Sequence, residues 1–338
     1  MSHKQILIVQ TAFIGDVILA TGLIEKLHQH HPEAQIDFLL RKGNESLLKN
    51  HPKLREVHVW DKKGGKYKNL LRLLKKVRKQ HYDLVVNVQR FANSGFLTAF
   101  SGAKETIGFD KNPFSWRFTH KIPHKIEDGT HEIARNHELV RAITDDESHK
   151  PVLYPSAADF DKVASFTIQP FVCMAPASVW FTKQYPKEKW IELIKAMPED
   201  IKIYLLGAPG DKALCEEILE SSGNTNTENL CGHLNLLQSA ALMKSAELSY
   251  VNDSAPMHLA SSVNARTCAI FCSTIPGFGF GPLSDFAEVV EVSEELACRP
   301  CGLHGKKACP EGHFKCGFDI ETQKLVAVLN RARALSHG

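Results

Sequence analysis

An apolar run, QILIVQ (5–10), leads directly into DVILATGLIEKLHQHH (16–31), whose apolar positions recur at helical spacing. This pairing constrains the fold more than any other feature, because it repeats along the chain. QIDFLL (35–40), REVHVW (55–60) and YDLVVNV (82–88) read as further strands, and YKNLLRLLKKVRKQ (67–80) reads as a helix. Strands that are apolar throughout must be covered on both faces, and parallel neighbours need long crossovers, which the helices supply. The expectation is a doubly wound α/β unit on a parallel sheet.

The pattern blurs between about 105 and 165, where Pro113, Pro123, Pro151 and Pro155 punctuate it. HEIARNHELVRAI (131–143) reads as a helix and KPVLYPSAADF (150–160) as a linker into another. The alternation then restarts. PFVCMAP (170–176) and IKIYLLG (201–207) read as strands, KEKWIELIKAM (187–197) and DKALCEEILESS (211–222) as helices. ENLCG (228–232), LNLLQSAALMKSA (234–246), LSYVND (248–253), APMHLASSV (255–263) and ARTCAIF (265–271) continue the series. The 338 residues, 43% hydrophobic, fill two domains of ordinary size, expected at 1–160 and 161–338. Ligands of open α/β sheets bind outside the strands' carboxyl ends, so two such units predict a cleft lined by both.

With 41 basic against 38 acidic residues, the chain lacks the basic excess of a dedicated nucleic-acid binder. Its first apolar run is too short for a signal peptide, and no run of about 18 apolar residues suits a membrane span. A cytoplasmic location is the expectation. Nine cysteines make an odd count; Cys173, Cys215, Cys231, Cys268 and Cys272 lie in apolar segments and read as reduced core thiols.

The chemistry concentrates in the loops of the second module. PASVWFTKQYP (176–186) places Lys183, with Ser178 and Thr182, after a strand. Asp253 and Ser254 open a helix with Pro256 in its first turn and His258 one turn in. A capped helix and a surface lysine are the ordinary readings of each feature alone. Together they suit an anion: the helix start offers unused N–H groups and a favourable dipole, and Lys183 a full charge. No G-x-x-x-x-G-K-[ST] occurs, and no G-x-G-x-x-G follows the first strand.

Four stretches, in order, resemble the bacterial ADP-heptose:lipopolysaccharide heptosyltransferases, glycosyltransferase family 9. They are FIGDVILATGLI near the N-terminus, VNVQRFANSGFLTAFSGAKETIGF (86–109), SVWFTKQYPKEKW (178–190) and YVNDSAPMHLASSV (250–263). The tail CRPCGLHGKKACPEGHFKC is similar to that of the heptosyltransferase II branch. The resemblance implies a GT-B fold, with acceptor against the first Rossmann-like domain and nucleotide-sugar in the second. It implies inverting, metal-independent transfer of heptose from ADP-heptose to the lipopolysaccharide inner core or a lipid A precursor, at the cytoplasmic face of the inner membrane. Asp16 would be the general base. Ser178, Lys183, Asp253, Ser254, Ala255 and His258 would bind the donor, and Gly15, Arg90 and Ser94 are acceptor candidates. The family's Gly after D-[ST] is Ala255 here, a Thr-Thr pair of the heptosyltransferase I branch is Ser178-Val179, and an Asp ending the fourth strand is Asn87.

Read without the family, Asp16 is first the N-cap of the 16–31 helix, where the dipole would keep it a weak base; the resemblance reverses that order. Cys298, Cys301, Cys309 and Cys316 have spacings that suit four thiolates on one structural Zn²⁺ or iron; reduced, packed thiols are the alternative. KYKNLLRLLKKVRK (66–79) presents a basic face that is either solvated or drawn to anionic lipid. The rival functions are a related enzyme with another nucleotide-sugar or a protein acceptor, a sugar-nucleotide epimerase, and a non-catalytic metal-binding protein.

Overall fold

Parallel pairing runs through every strand contact. The structure is a computed structural model and describes residues 3–126 and 129–335. The chain divides into two units, Met1–Tyr154 and Pro155–Gly338. The first contains β1 (Gln5–Val9), α1 (Ile14–His30), β2 (Gln35–Arg41), β3 (Glu56–Trp60), α2 (Lys66–Arg78) and β4 (Leu84–Asn87). It continues with α3 (Ala92–Ala99), β5 (Glu105–Phe109), β6 (His120–Ile122) and α4 (Glu132–His137). Its sheet has the order β3-β2-β1-β4-β5-β6. The central strands are fully buried, which is why they read as unbroken apolar runs.

The second unit begins with α5 (Ala157–Val163), β7 (Phe171–Ala175), α6 (Lys187–Lys195), β8 (Lys202–Leu205) and α7 (Lys212–Ser222). Next come β9 (Thr227–Asn229), α8 (Leu236–Ser245), β10 (Leu248–Asn252), α9 (Ala255–Ser262) and β11 (Thr267–Phe271). It closes with β12 (Ala287–Glu291), α10 (Lys315–Phe318) and α11 (Thr322–Ala334). The order β12-β11-β10-β7-β8-β9 repeats the connectivity of the first sheet. In both units the chain leaves a central strand toward one edge and returns to the other side of it. Each therefore has a switch point, between β1 and β4 and between β7 and β10, where ligands of such sheets bind.

Three details differ from the sequence reading. β5 and β6 lie inside the stretch where the pattern blurs, because β6 is a short edge strand. The helix expected over 131–143 is broken into α4 and a separate 3-10 turn, Arg141–Ile143. α5 belongs to the second unit and packs on α8, with a capping box in which Ser156 and Asp159 bond reciprocally.

Candidate functional site

At the second unit's switch point, the loop after β7 meets the start of α9. Asn252, the last residue of β10, organises the meeting. Its Nδ2 donates to Pro176 O at 2.7 Å and its Oδ1 accepts the Tyr185 N–H at 2.9 Å. The loop is thereby pinned at both ends, and its 3-10 turn, Phe181–Lys183, projects Lys183 toward the helix start. Lys183 Nζ lies 2.6 Å from Asp253 Oδ2, with the two side chains 14% and 6% exposed. The Thr274 hydroxyl, after β11, donates to the same carboxylate at 2.6 Å.

Ser254 is the N-cap of α9, but its side chain makes no cap bond. The Ser254 side chain takes up no N–H of the first turn, Pro256 has none to offer, and the Met257 N–H donates to the Ser254 carbonyl at 3.0 Å. Ala255 opens the helix and His258 is buried in its second turn. Ser178 is half-buried in the same loop, where its carbonyl accepts from Gln184 Nε2 at 2.6 Å. Lys183, Asp253, Ser254 and Ala255 are thus brought to one place. The Lys183 ammonium, expected as the full charge of the site, is one half of an ion pair. A carboxylate this close to a bound anion would repel it, so Asp253 suits the task of holding Lys183 better than that of touching phosphate.

The first unit's switch point carries Asp16 at the start of α1. The N-cap is Phe13, and Asp16 sits three residues further, in the first helical turn. This corrects the expectation of Asp16 as N-cap. The helix begins two residues earlier, and the Asp16 carboxylate reaches back to accept the Phe13 N–H at 3.1 Å. Gly15 is in the same turn. The loop itself is tied across the sheet: Thr11 donates N–H and hydroxyl to Gln89 Oε1 at 3.2 and 2.6 Å. Asn87, where an Asp was expected, accepts the Gln89 N–H at 3.0 Å. Arg90 is exposed on this rim, whereas Ser94 is buried and donates its hydroxyl to Phe91 O at 2.9 Å. Ser94 therefore shapes the turn and presents nothing to an acceptor.

Sequence reading missed Glu132, Arg135 and His124 on this rim. Arg135 holds Glu132 with Nε at 2.9 Å and Nη2 at 2.8 Å. Burial raises the Glu132 carboxyl above its ordinary range; Arg135 opposes this and the Asp16 charge adds to it. Burial, then Arg90 and Arg135, lower the His124 imidazole to about 4. The only sequence signal was the E-x-x-R spacing of HEIAR, which is common on ordinary helices.

Cys298, Cys301, Cys309 and Cys316 all line one cavity of about 310 Å³, together with Thr182 and His313. Burial, with the charges of the other three thiols, lifts Cys316 to about 12. Among the described residues, the only trio of ligand atoms within 4.8 Å of one another is Asp37, Glu56 and His58, so the four thiols share the cavity without three of them closing to that distance. The Asp37 carboxylate is already engaged: it accepts from Arg55 Nε at 2.9 Å and from the Tyr82 hydroxyl. The basic face of α2 is exposed opposite its buried Leu70, Leu73, Leu74 and Val77. Among the described residues, no helix is long and apolar enough to cross a membrane.

Two doubly wound parallel sheets of identical strand order make this an α/β protein, and the solved heptosyltransferase structures it superposes on give it the GT-B fold. The chain belongs to glycosyltransferase family 9 (heptosyltransferase), whose profile matches residues 70–313. It is similar to lipopolysaccharide heptosyltransferase 3 of Escherichia coli K12, 26% identical over 278 residues covering 77% of this chain and 80% of that one. Lipopolysaccharide heptosyltransferase 1 of Pseudomonas aeruginosa is 24% identical, with 95% and 92% covered. The solved structure of E. coli ADP-heptose lipopolysaccharide heptosyltransferase II superposes with a TM-score of 0.81 at 20% identity, covering 99% of this chain and all of that one.

Proposed function

We propose that this glycosyltransferase moves heptose from ADP-heptose to the inner core of lipopolysaccharide, or to a lipid A precursor, by a single inverting displacement. The observation that carries the donor half is the Lys183 ammonium beside the start of α9. A fixed cation and a helix N-terminus neutralise charge growing on a leaving diphosphate, and both are in place before reaction. No metal is assigned to this step, because those groups answer the same electrostatic need.

Asp16 is the proposed base. The acceptor hydroxyl oxygen bonds to the anomeric carbon while the bond from that carbon to the diphosphate oxygen breaks. The hydroxyl proton passes to the Asp16 carboxylate, and ADP leaves with the bonding pair. A carboxylate suffices because the hydroxyl becomes strongly acidic as its new bond forms. Holding donor and acceptor together in one orientation supplies a further part of the rate. Arg90 and Gly15 remain the proposed acceptor contacts. The basic face of α2 suits an acceptor embedded in the cytoplasmic face of the inner membrane.

Asp16→Asn tests the assignment: ADP-heptose binding stays near normal while transfer falls by about 10²–10⁴-fold. Collapse of donor binding, or unfolding, refutes the base. A thermal-shift panel of ADP-, UDP- and GDP-sugars tests the donor, and stabilisation by UDP or GDP sugars alone refutes it. For the four clustered cysteines we propose a structural Zn²⁺ or iron. The donor set and the shared cavity support that reading, and a metal there would take the thiols as thiolates. Metal analysis of protein purified without added metal gives one ion per chain; sub-stoichiometric metal leaves packing as the account.

A further inference from the structure

The turn that carries Lys183 is gripped by the cysteine-bearing segment, and the grip falls on the preceding residue. Thr182 is 1% exposed. Its Oγ1 accepts the Lys306 N–H at 2.7 Å and the Ser273 hydroxyl at 2.9 Å. Its N–H donates to Lys306 O at 3.1 Å, and its carbonyl accepts the Ser273 N–H at 3.2 Å. One residue thus joins the Phe181–Lys183 turn, the end of β11 and the loop between Cys301 and Cys309. Gly305, at φ +73°, completes the grip: a Cβ there would meet Lys183 Cγ at 2.9 Å and Thr182 Oγ1 at 3.0 Å. The loop backbone is therefore a wall against the lysine stem.

The same segment reaches the other member of the ion pair. Arg299 donates from Nε to Cys272 O at 2.7 Å and from Nη2 to Thr274 O at 2.8 Å. Thr274 is the residue whose hydroxyl holds Asp253. A lysine on a flexible four-carbon stem loses rotamer entropy when fixed. A site that takes this loss before the ligand arrives binds more tightly.

We infer that Thr182 is a positioning residue that, with Gly305 and Lys306, pre-sets the Lys183 ammonium for the diphosphate. The inference rests on the donor-site reading above. Thr182 needs no contact with substrate in this role and acts through Lys183 alone.

The test measures ADP affinity by calorimetry, and steady-state transfer, on the full chain. Thr182→Val keeps the volume and removes the buried acceptor; Thr182→Ser keeps the acceptor; Gly305→Ala presses on the lysine stem. Each is made with Lys183 present and in a Lys183→Met background. With Lys183 present, Thr182→Val weakens ADP about threefold to thirtyfold and lowers kcat, leaving the acceptor KM unchanged. Thr182→Ser recovers affinity to within about twofold, and Gly305→Ala acts in the same direction as Thr182→Val. In the Lys183→Met background none of the three has a further effect on ADP. Weakening by an equal factor there, a parallel rise in acceptor KM, or an unchanged Thr182→Val overturns the proposal. Should Thr182→Val fail to fold, Gly305→Ala and Thr182→Ser complete the same cycle. Failure of the donor-site reading looks different: Lys183→Met alone then leaves ADP affinity unaltered.

Discussion

Replacing Lys183 by Met separates what the Lys183–Asp253 pair does for stability from what it does for binding. Removing one partner of a buried pair strands the other charge, at about 3–5 kcal/mol. Lys183 is 14% exposed and Asp253 6%, so the lower figure applies. The Thr274 hydroxyl and the start of α9 still face the Asp253 carboxylate and recover about 1 kcal/mol. The net loss is about 2 kcal/mol. For a unit of this size each kcal/mol moves the midpoint by about 2–4 °C, so Tm falls by roughly 4–8 °C in scanning calorimetry. Adding Asp253→Asn removes the stranded charge and restores most of the loss. ADP affinity follows another course: loss of a charge-assisted contact weakens it about 10- to 100-fold, and Asp253→Asn does not restore it. An unchanged Tm in Lys183→Met would refute the buried pair. Recovery of ADP affinity in the double variant would show that Lys183 serves only to neutralise Asp253.

Two further predictions concern the first unit. Burial, with the Lys53 charge adding and Glu25 opposing, lowers His51 to about 4 against an unfolded value near 6.5. The unfolded chain then binds a proton that the fold does not, so stability is complete above pH 6.5 and falls by about 3 kcal/mol as pH drops to about 4. His51→Phe, which keeps the edge-to-face contact with Tyr154, removes that contribution in urea titrations across this window; an undiminished slope refutes it. Gly95→Ala places a Cβ 1.8 Å from Asn112 Oδ1 and displaces the amide that holds Gln89 O and Phe91 O at 3.0 and 3.1 Å. The variant loses about 2–3 kcal/mol, and a Tm equal to wild type would refute the close packing.

Much of the fold was legible because its signals are local. Unbroken apolar strands such as QILIVQ and YDLVVNV can exist only in a sheet covered on both faces, and the amphipathic runs between them are the covers. The two-unit organisation and the loops that carry Asp16, Lys183 and Asp253 follow from where those runs end. β5 and β6 escaped because short strands among prolines carry little periodicity.

The sequence by itself determined which residues stand at the switch points; the tertiary structure decided what each one touches. It moved Asp16 from cap to first turn, turned Ser94 inward and gave Lys183 a carboxylate partner. It brought Thr182 onto Lys306, 124 residues away, and gathered four cysteines at one cavity beside that contact. Helix and strand periodicities repeat within a few residues and can be read along the chain. A hydrogen-bond partner is chosen by which loops the sheet order brings side by side, and no local pattern encodes that choice.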